Sequence, residues 1–352
     1  MSLISKLTTV AASGSGGAGS TIAFVPVSSE GALVAYDCLD PTSITELGRF
    51  TDFTNLVNAE AVVIDTTANV AYVSGSNYLS SIDISDPTSM SLLDSTTDGD
   101  DSRTLALDKA NQKLYVLDRN AKTLKCFDVS NPSSMTLDDS LYSADFDNGT
   151  GLAIDLTTDT LYVGAYQHLV SVNISNPSSL SILDSHSTGF YNQYEIALDT
   201  TNNVAYVSSQ AGDRLLSINI SNPSSMSDLD DYFQTELDGA YGVSVDLDND
   251  VAYVAGQRDD AIVSINISNP SSMSGLDTLI SAADTDGVRS VAIDIANSVL
   301  YFTAGNVKKF GAIDISNPSS LTILDSVSIT ATSFVGGLAL NIDGPAATNA
   351  YD

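Results

Sequence analysis

The side chains that most often carry chemistry are scarce here. There are two histidines, His168 and His186, in different parts of the chain and without metal-type spacing. Neither a zinc-like ligand set nor a Ser-His-Asp arrangement can be read around them. Five glutamates, Glu30, Glu46, Glu60, Glu195 and Glu236, stand among 44 acidic residues. Two placed carboxylates can hydrolyse a glycoside, and Glu195 and Glu236 are the candidates, although both read equally well as solvated loop acids. Residues 98–101, 145–148 and 284–287 have aspartates at calcium-loop-like spacing. None continues to the bidentate glutamate of an EF-hand, so solvated turns account for them. Cys38 and Cys126 are the only cysteines and read as buried small hydrophobes. The expectation is therefore no catalytic residue, no metal, no cofactor and no enzyme.

What must position any such side chain is a repeat. Ile82-Asp83-Ile84-Ser85-Asp86-Pro87 returns as Phe127–Pro132, Val172–Pro177, Ile218–Pro223, Ile265–Pro270 and Ile313–Pro318, with a worn copy at Tyr36–Pro41. The prolines at 41, 87, 132, 177, 223, 270 and 318 recur every 45 to 48 residues, the signature of a stacked or circular repeat. Alternating apolar residues read as a half-buried strand. Asp/Asn-Pro then stops it in a tight turn. Upstream of each phrase lie two more strands. One is continuously apolar and ends in Asp (Ala61–Asp65 and its copies), which suits an innermost strand. The other carries Tyr72, Tyr115, Tyr162, Tyr206, Tyr253 or Tyr301, an aromatic at fixed spacing that reads as core. Four strands per repeat of this length predict a β-propeller blade. The first copy lacks the innermost strand, and Gly337-Leu338-Ala339-Leu340-Asn341 supplies one without a successor. The two pieces make one blade, and the count becomes seven.

The pattern Leu-x-x-Ile-Asp-Ile-Ser-Asn-Pro-Ser, clearest at Ile313-Asp314-Ile315-Ser316-Asn317-Pro318-Ser319, resembles the LVIVD-repeat β-propeller family over about residues 21–343. The resemblance implies a propeller, often on cell surfaces or in viral particles, with no common enzymatic activity. Seven-bladed lactonases and glycosidases also exist.

The predicted fold is thus all-β: a seven-bladed β-propeller of four-stranded antiparallel blades at 21–343, closed by a blade shared between the N- and C-terminal strands. A Gly/Ser-rich arm at 1–20 precedes it, and a tail at 344–352 follows. One rim of the ring carries monotonous short turns. The other carries variable loops with aromatics and about half the basic residues, and variable loops on a rigid scaffold are where binding usually lives. The interaction candidates are Tyr191, Tyr194, Tyr232, Phe233 and Tyr241 on that rim, with Leu3, Ile4 and Leu7 on the arm. A formal net charge of −31 with only 13 Lys plus Arg leaves no basic footprint; nucleic acid is excluded, and membrane insertion is not expected. The functional expectation is a non-enzymatic structural protein in a tailed-phage virion. Its arm would bind other virion or surface-assembly proteins, and its variable face a host-surface glycan or protein. A bacterial cell-surface adhesin is the alternative; a lactonase-like or glycosidase-like propeller enzyme comes next.

Overall fold

The computed structural model describes residues 21–97, 101–330, 337–342 and 347–349. Each repeat becomes one antiparallel sheet of four strands, here a to d from the channel outwards, and seven sheets form a ring. Blade 2 is representative: a, Ala61–Asp65; b, Val70–Ser74; c, Tyr78–Asp83; d, Ser91–Thr97. The a strands of blades 3 to 7 are Ser102–Asp108, Gly151–Asp155, Gln193–Asp199, Ala240–Asp246 and Val288–Asp294. Each lies against the a strand of the next blade around the axis. Helix is confined to three one-turn 3-10 segments among the described residues.

Blade 1 draws on both ends of the described chain. Ala339–Ile342 pairs antiparallel with Thr21–Val27, with Ala23 opposite Leu340 and Phe24 opposite Ala339. Ala32–Asp37 and Thr45–Thr51 complete the sheet. Ala347–Asn349, read from the sequence as part of a tail, adds a fifth strand to the channel edge of Val288–Asp294. The arm at 1–20, with Leu3, Ile4 and Leu7, lies outside the described residues.

The alternation of each strand decides the packing. One buried apolar cluster fills every interface between neighbouring blades, seven around the ring. The strand b tyrosines, at most 1% exposed, lie within these clusters, as their fixed spacing predicts. The aspartate ending each a strand accepts backbone N–H groups of the a–b turn, as Asp65 does from Thr67 at 2.9 Å and Asp199 from Thr201 at 3.0 Å. That is why Asp dominates the acidic residues, 39 of 44 with only five Glu: it closes turns.

The Asn-Pro-Ser phrase proves to be more than a turn, because it docks on the preceding blade. Ser81 Oγ donates to the Pro132 carbonyl, Ser171 to Pro223, Ser217 to Pro270 and Ser264 to Pro318, all at 2.6 Å. A strand d aspartate accepts the N–H just beyond the turn: Met135 to Asp94 at 2.8 Å, Leu180 to Asp139 at 2.7 Å, Met226 to Asp184 at 2.8 Å. Between blades 7 and 1, Ile44 N–H reaches Asp325 Oδ2 at 2.8 Å. Blade 1 carries Ala35 and Gly48 at the two clamp positions, and a Cβ on Gly48 would run into the Pro87 carbonyl oxygen. Blade 2 therefore seats directly on the backbone of blade 1.

Candidate functional site

Within the repeating a strands one column does not repeat. Five residues before the closing Asp stand Glu60, Arg103, Thr150, Tyr194, Tyr241 and Arg289 for blades 2 to 7. The column sits where the chain enters the innermost strand from the variable rim, so it rings the channel mouth. In four blades the a–b ladder slips at this point, between Ser102 and Leu105, Gln193 and Ile196, Ala240 and Val243, and Val288 and Ser290. Such bulges free a side chain from the sheet's alternation and re-aim it. Here the freed residues include Arg103, Tyr241 and Arg289.

These side chains converge. Arg103 Nη1 lies 3.4 Å from Glu60 Oε2, and its Nε lies 2.7 Å from Asp101 Oδ1. Arg119, from the b–c loop of blade 3, approaches Asp101 at 3.9 Å and holds Asn148 Oδ1 through Nη2 at 2.8 Å. Glu60 feels Arg103, Arg289 and Arg119, and Arg103 feels Tyr241 from the far side of the ring. Blades 3 and 6 are as far apart as the ring allows, so this coupling runs across the axis. Arg289 stacks over the Tyr241 ring at 5.3 Å, a cation–π contact. With the Gln257 amide turned to satisfy both groups, its oxygen accepts from Arg289 Nε at 2.7 Å and Nη2 at 2.9 Å. A cleft of about 280 Å³ opens beside Glu60, lined by Asn58, Gly75, Ser76, Asp101, Ser102 and Arg103.

Burial raises the Glu60 carboxyl above its usual range; Asp101 adds to the rise and the arginines oppose it. Of the six arginines of a strongly acidic protein, Arg103 thus pairs with this desolvated acid, while Arg119 and Arg289 are near enough to oppose the rise. Such an arrangement can bind an anion, polarise a carbonyl and accept a proton from water.

The sequence candidates fare unequally. Tyr241 belongs to the mouth. Tyr191 is 46% exposed and pairs with Tyr166, ring centres 4.9 Å apart. Tyr232 donates to Gln234 Oε1 at 2.7 Å, while Phe233 lies 5.2 Å from the Arg214 guanidinium on the outer strands of blade 5. The Tyr194 side chain lies outside the description. Glu195 is not a solvated loop acid: it is 3% exposed, and its Oε2 accepts the Val243 N–H at 2.8 Å. In the other blades its column holds Ala61, Thr104, Gly151, Gly242, Ser290 and Gly337, and the space left by Gly242 admits its carboxylate. Glu236 stands apart on the 3-10 turn Thr235–Leu237. His186 bonds Asp228 at 2.7 Å across outer strands. Both cysteines are buried and free, and burial pushes the Cys126 thiol up to about 12. Of the calcium-like loops, Asp284 is taken by Lys309, Ser326 and Ser281, which hold its carboxyl at about 2, and Asp147 pairs with Lys122 at 2.9 Å. Among the described residues no group of three or more His, Cys, Asp or Glu is placed to hold a metal ion.

A family profile, the LVIVD repeat, matches residues 61–98, 114–142, 151–188, 201–232, 241–277 and 303–328, more than half of the chain. The chain belongs to the LVIVD repeat family. Among curated proteins none matches the sequence. The fold of this LVIVD-repeat protein is similar to that of a protein from Lactobacillus plantarum (TM-score 0.77, 14% identity, 92% of this chain and 99% of the other). It is similar also to a Bacteroides uniformis protein provisionally named a 6-phosphogluconolactonase (0.77, 9%, 91% and 99%). A third is the periplasmic gluconolactonase of Pseudomonas aeruginosa (0.76, 10%, 92% and 99%). At these identities the likeness is one of fold. The expectation of a non-enzymatic virion component is nevertheless corrected. Propellers named as gluconolactonases stand among the folds this LVIVD-repeat chain shares, and the cluster thought absent is assembled at the mouth from single residues of separate blades.

Proposed function

We propose that the channel mouth is a lactonase-type site that opens the ring of a sugar-acid lactone. The observation that carries this reading is the desolvated Glu60 paired with Arg103 at 3.4 Å beside a cleft of about 280 Å³, with Arg119 held next to it on Asp101 at 3.9 Å; the names of the two gluconolactonase-type propellers support it. In the proposed reaction the Glu60 carboxylate takes a proton from water as the water oxygen adds to the lactone carbonyl carbon. The charge developing on the carbonyl oxygen is met by Arg103 and Arg289. The ring C–O bond then breaks, the ring oxygen recovers the proton from Glu60, and the new carboxylic acid gives up its remaining proton to solvent and rests as the carboxylate on the guanidinium groups. Tyr241 holds Arg289 in place from below.

The test is acid release from glucono-1,5-lactone in a weakly buffered indicator, corrected for spontaneous opening. The intact protein accelerates it, while Glu60→Gln and Arg103→Met each lower the enzymatic rate by about 100-fold or more, as expected for loss of a general base or an oxyanion partner. A rate no faster than the spontaneous one for gluconolactone and its 6-phosphate would sink the reading.

A further inference from the structure

The acid site fills only half of the mouth. Its column residues in blades 2, 3 and 7 are charged, whereas blades 4 and 6 offer Thr150 and Tyr241. A second circle, from the start of each b–c loop, divides the same way: Arg119 in blade 3, then Tyr166, Gln210 and Gln257 in blades 4 to 6. Starting from Arg289, the turned Gln257 amide is in contact, its nitrogen lies 3.5 Å from Gln210 Nε2 without a hydrogen bond between them, and Asn192 Nδ2 donates to Gln210 Oε1 at 3.4 Å. Asn192 N–H in turn donates to the Tyr166 carbonyl at 2.7 Å, beside the Tyr166–Tyr191 ring pair. Both rings are exposed, at 38% and 46%. A row of planar amides and open aromatic faces therefore runs from the arginines around the mouth through blades 6, 5 and 4.

Amides that donate and accept side by side match vicinal hydroxyls. Exposed tyrosine faces match the C–H faces of a pyranose, and an aromatic ring keeps its contact geometry at low conformational cost. Large aromatics left in water around a pocket mark binding rather than packing.

We propose that this neutral half is a subsite for further sugar rings, so that the ligand is an oligosaccharide bearing its lactone or acid group at one end. The inference rests on the acid site proposed above and adds the nature of the rest of the ligand. The reducing-end acid sits among Arg103, Arg289 and Arg119. The chain of rings runs over Gln257 and Gln210 to the Tyr166–Tyr191 pair.

Calorimetric titration of the full chain with gluconate, cellobionate and cellotrionate tests it. Affinity rises along the series, by about tenfold or more once a ring reaches the tyrosines, the factor expected of one good aromatic contact. Tyr191→Ala collapses the ratio between cellotrionate and gluconate, and Tyr191→Phe, which keeps the ring, retains it. Arg103→Met weakens all three acids together. Gluconate bound with no gain on extension overturns the subsite and leaves the acid site standing. Failure of all three to bind removes the acid site, and this inference with it.

Discussion

Glu60 is where the proposed chemistry and the stability of the fold pull in opposite directions. Its carboxyl is raised from 4.5, chiefly by burial. The folded state therefore holds its proton more tightly than the unfolded chain does. The cost in stability is absent below the unfolded value, grows as pH rises above it, and is complete above the folded value. Glu60→Gln is accordingly expected to melt higher than the natural chain at neutral pH, with the gain vanishing in acid, while losing activity. Thermal scans across the acid range check the first half, and a neutral-pH melt below that of the natural chain would contradict it. Activity should rise with pH through a midpoint above the ordinary carboxylate range, because the proposed base works ionised. These residues were hard to see in the sequence for a physical reason. Alignment on what recurs finds the strands, whereas the mouth is built from the one column of the a strands that does not recur. Glu195 could have been flagged the same way, since a glutamate in a column of Ala, Gly, Ser and Thr signals a carboxylate entering space that the next blade leaves vacant.

At the scale of elements the repeat phrase was legible almost completely, because period-two alternation, Asx-Pro turns and a fixed tyrosine each follow from local chemistry. Its second role was not, since a hydrogen bond to the preceding blade joins residues far apart in the chain and leaves no local mark. The clamp makes two unequal predictions. Asp184→Ala orphans the Met226 amide and the Ser185 amide, and is expected to lower stability by about 1–3 kcal/mol. Gly48→Asp brings blade 1 to the sequence of the other blades and is nonetheless expected to destabilise by about 1–3 kcal/mol, because the added side chain meets the Pro87 carbonyl. Urea unfolding of the two variants decides it. A Gly48→Asp variant more stable than the natural chain would mean that blade 2 can retreat from blade 1 without loss. Asp284 adds a pH signature. Its carboxyl, lowered to about 2 mainly by Lys309 and Ser326, contributes stability that is present above its unfolded value of 3.8 and is lost as pH falls through about 2. Asp284→Asn should remove that part of the acid transition.

For the whole molecule, the telling segment is short. Leu338 and Leu340 are buried, at 2% and 0%, in the cluster between blades 7 and 1. Leu340→Ala is expected to cost about 2–5 kcal/mol. Removing residues 337–352 should give a protein that aggregates or melts far lower, because the edge of Thr21–Val27 is then unpaired. If the truncated chain stays monomeric and melts like the intact one, the ring does not depend on this pairing. The pairing partner of Thr21–Val27 was readable from sequence, because Gly337-Leu338-Ala339-Leu340-Asn341 repeats the innermost-strand pattern, and its Leu338 and Leu340 do lie buried at the junction. The contrast between a body of formal charge −31 and a mouth holding three arginines has a kinetic consequence. An anionic ligand is repelled on approach and attracted only on arrival. Salt shortens the reach of the repulsion to about 8–10 Å at physiological strength. Capture of a sugar acid should therefore speed up as salt is added from very low concentration, the reverse of ordinary electrostatic steering. A stopped-flow association rate that falls steadily with salt would mean that the mouth projects its own field beyond that of the acidic shell.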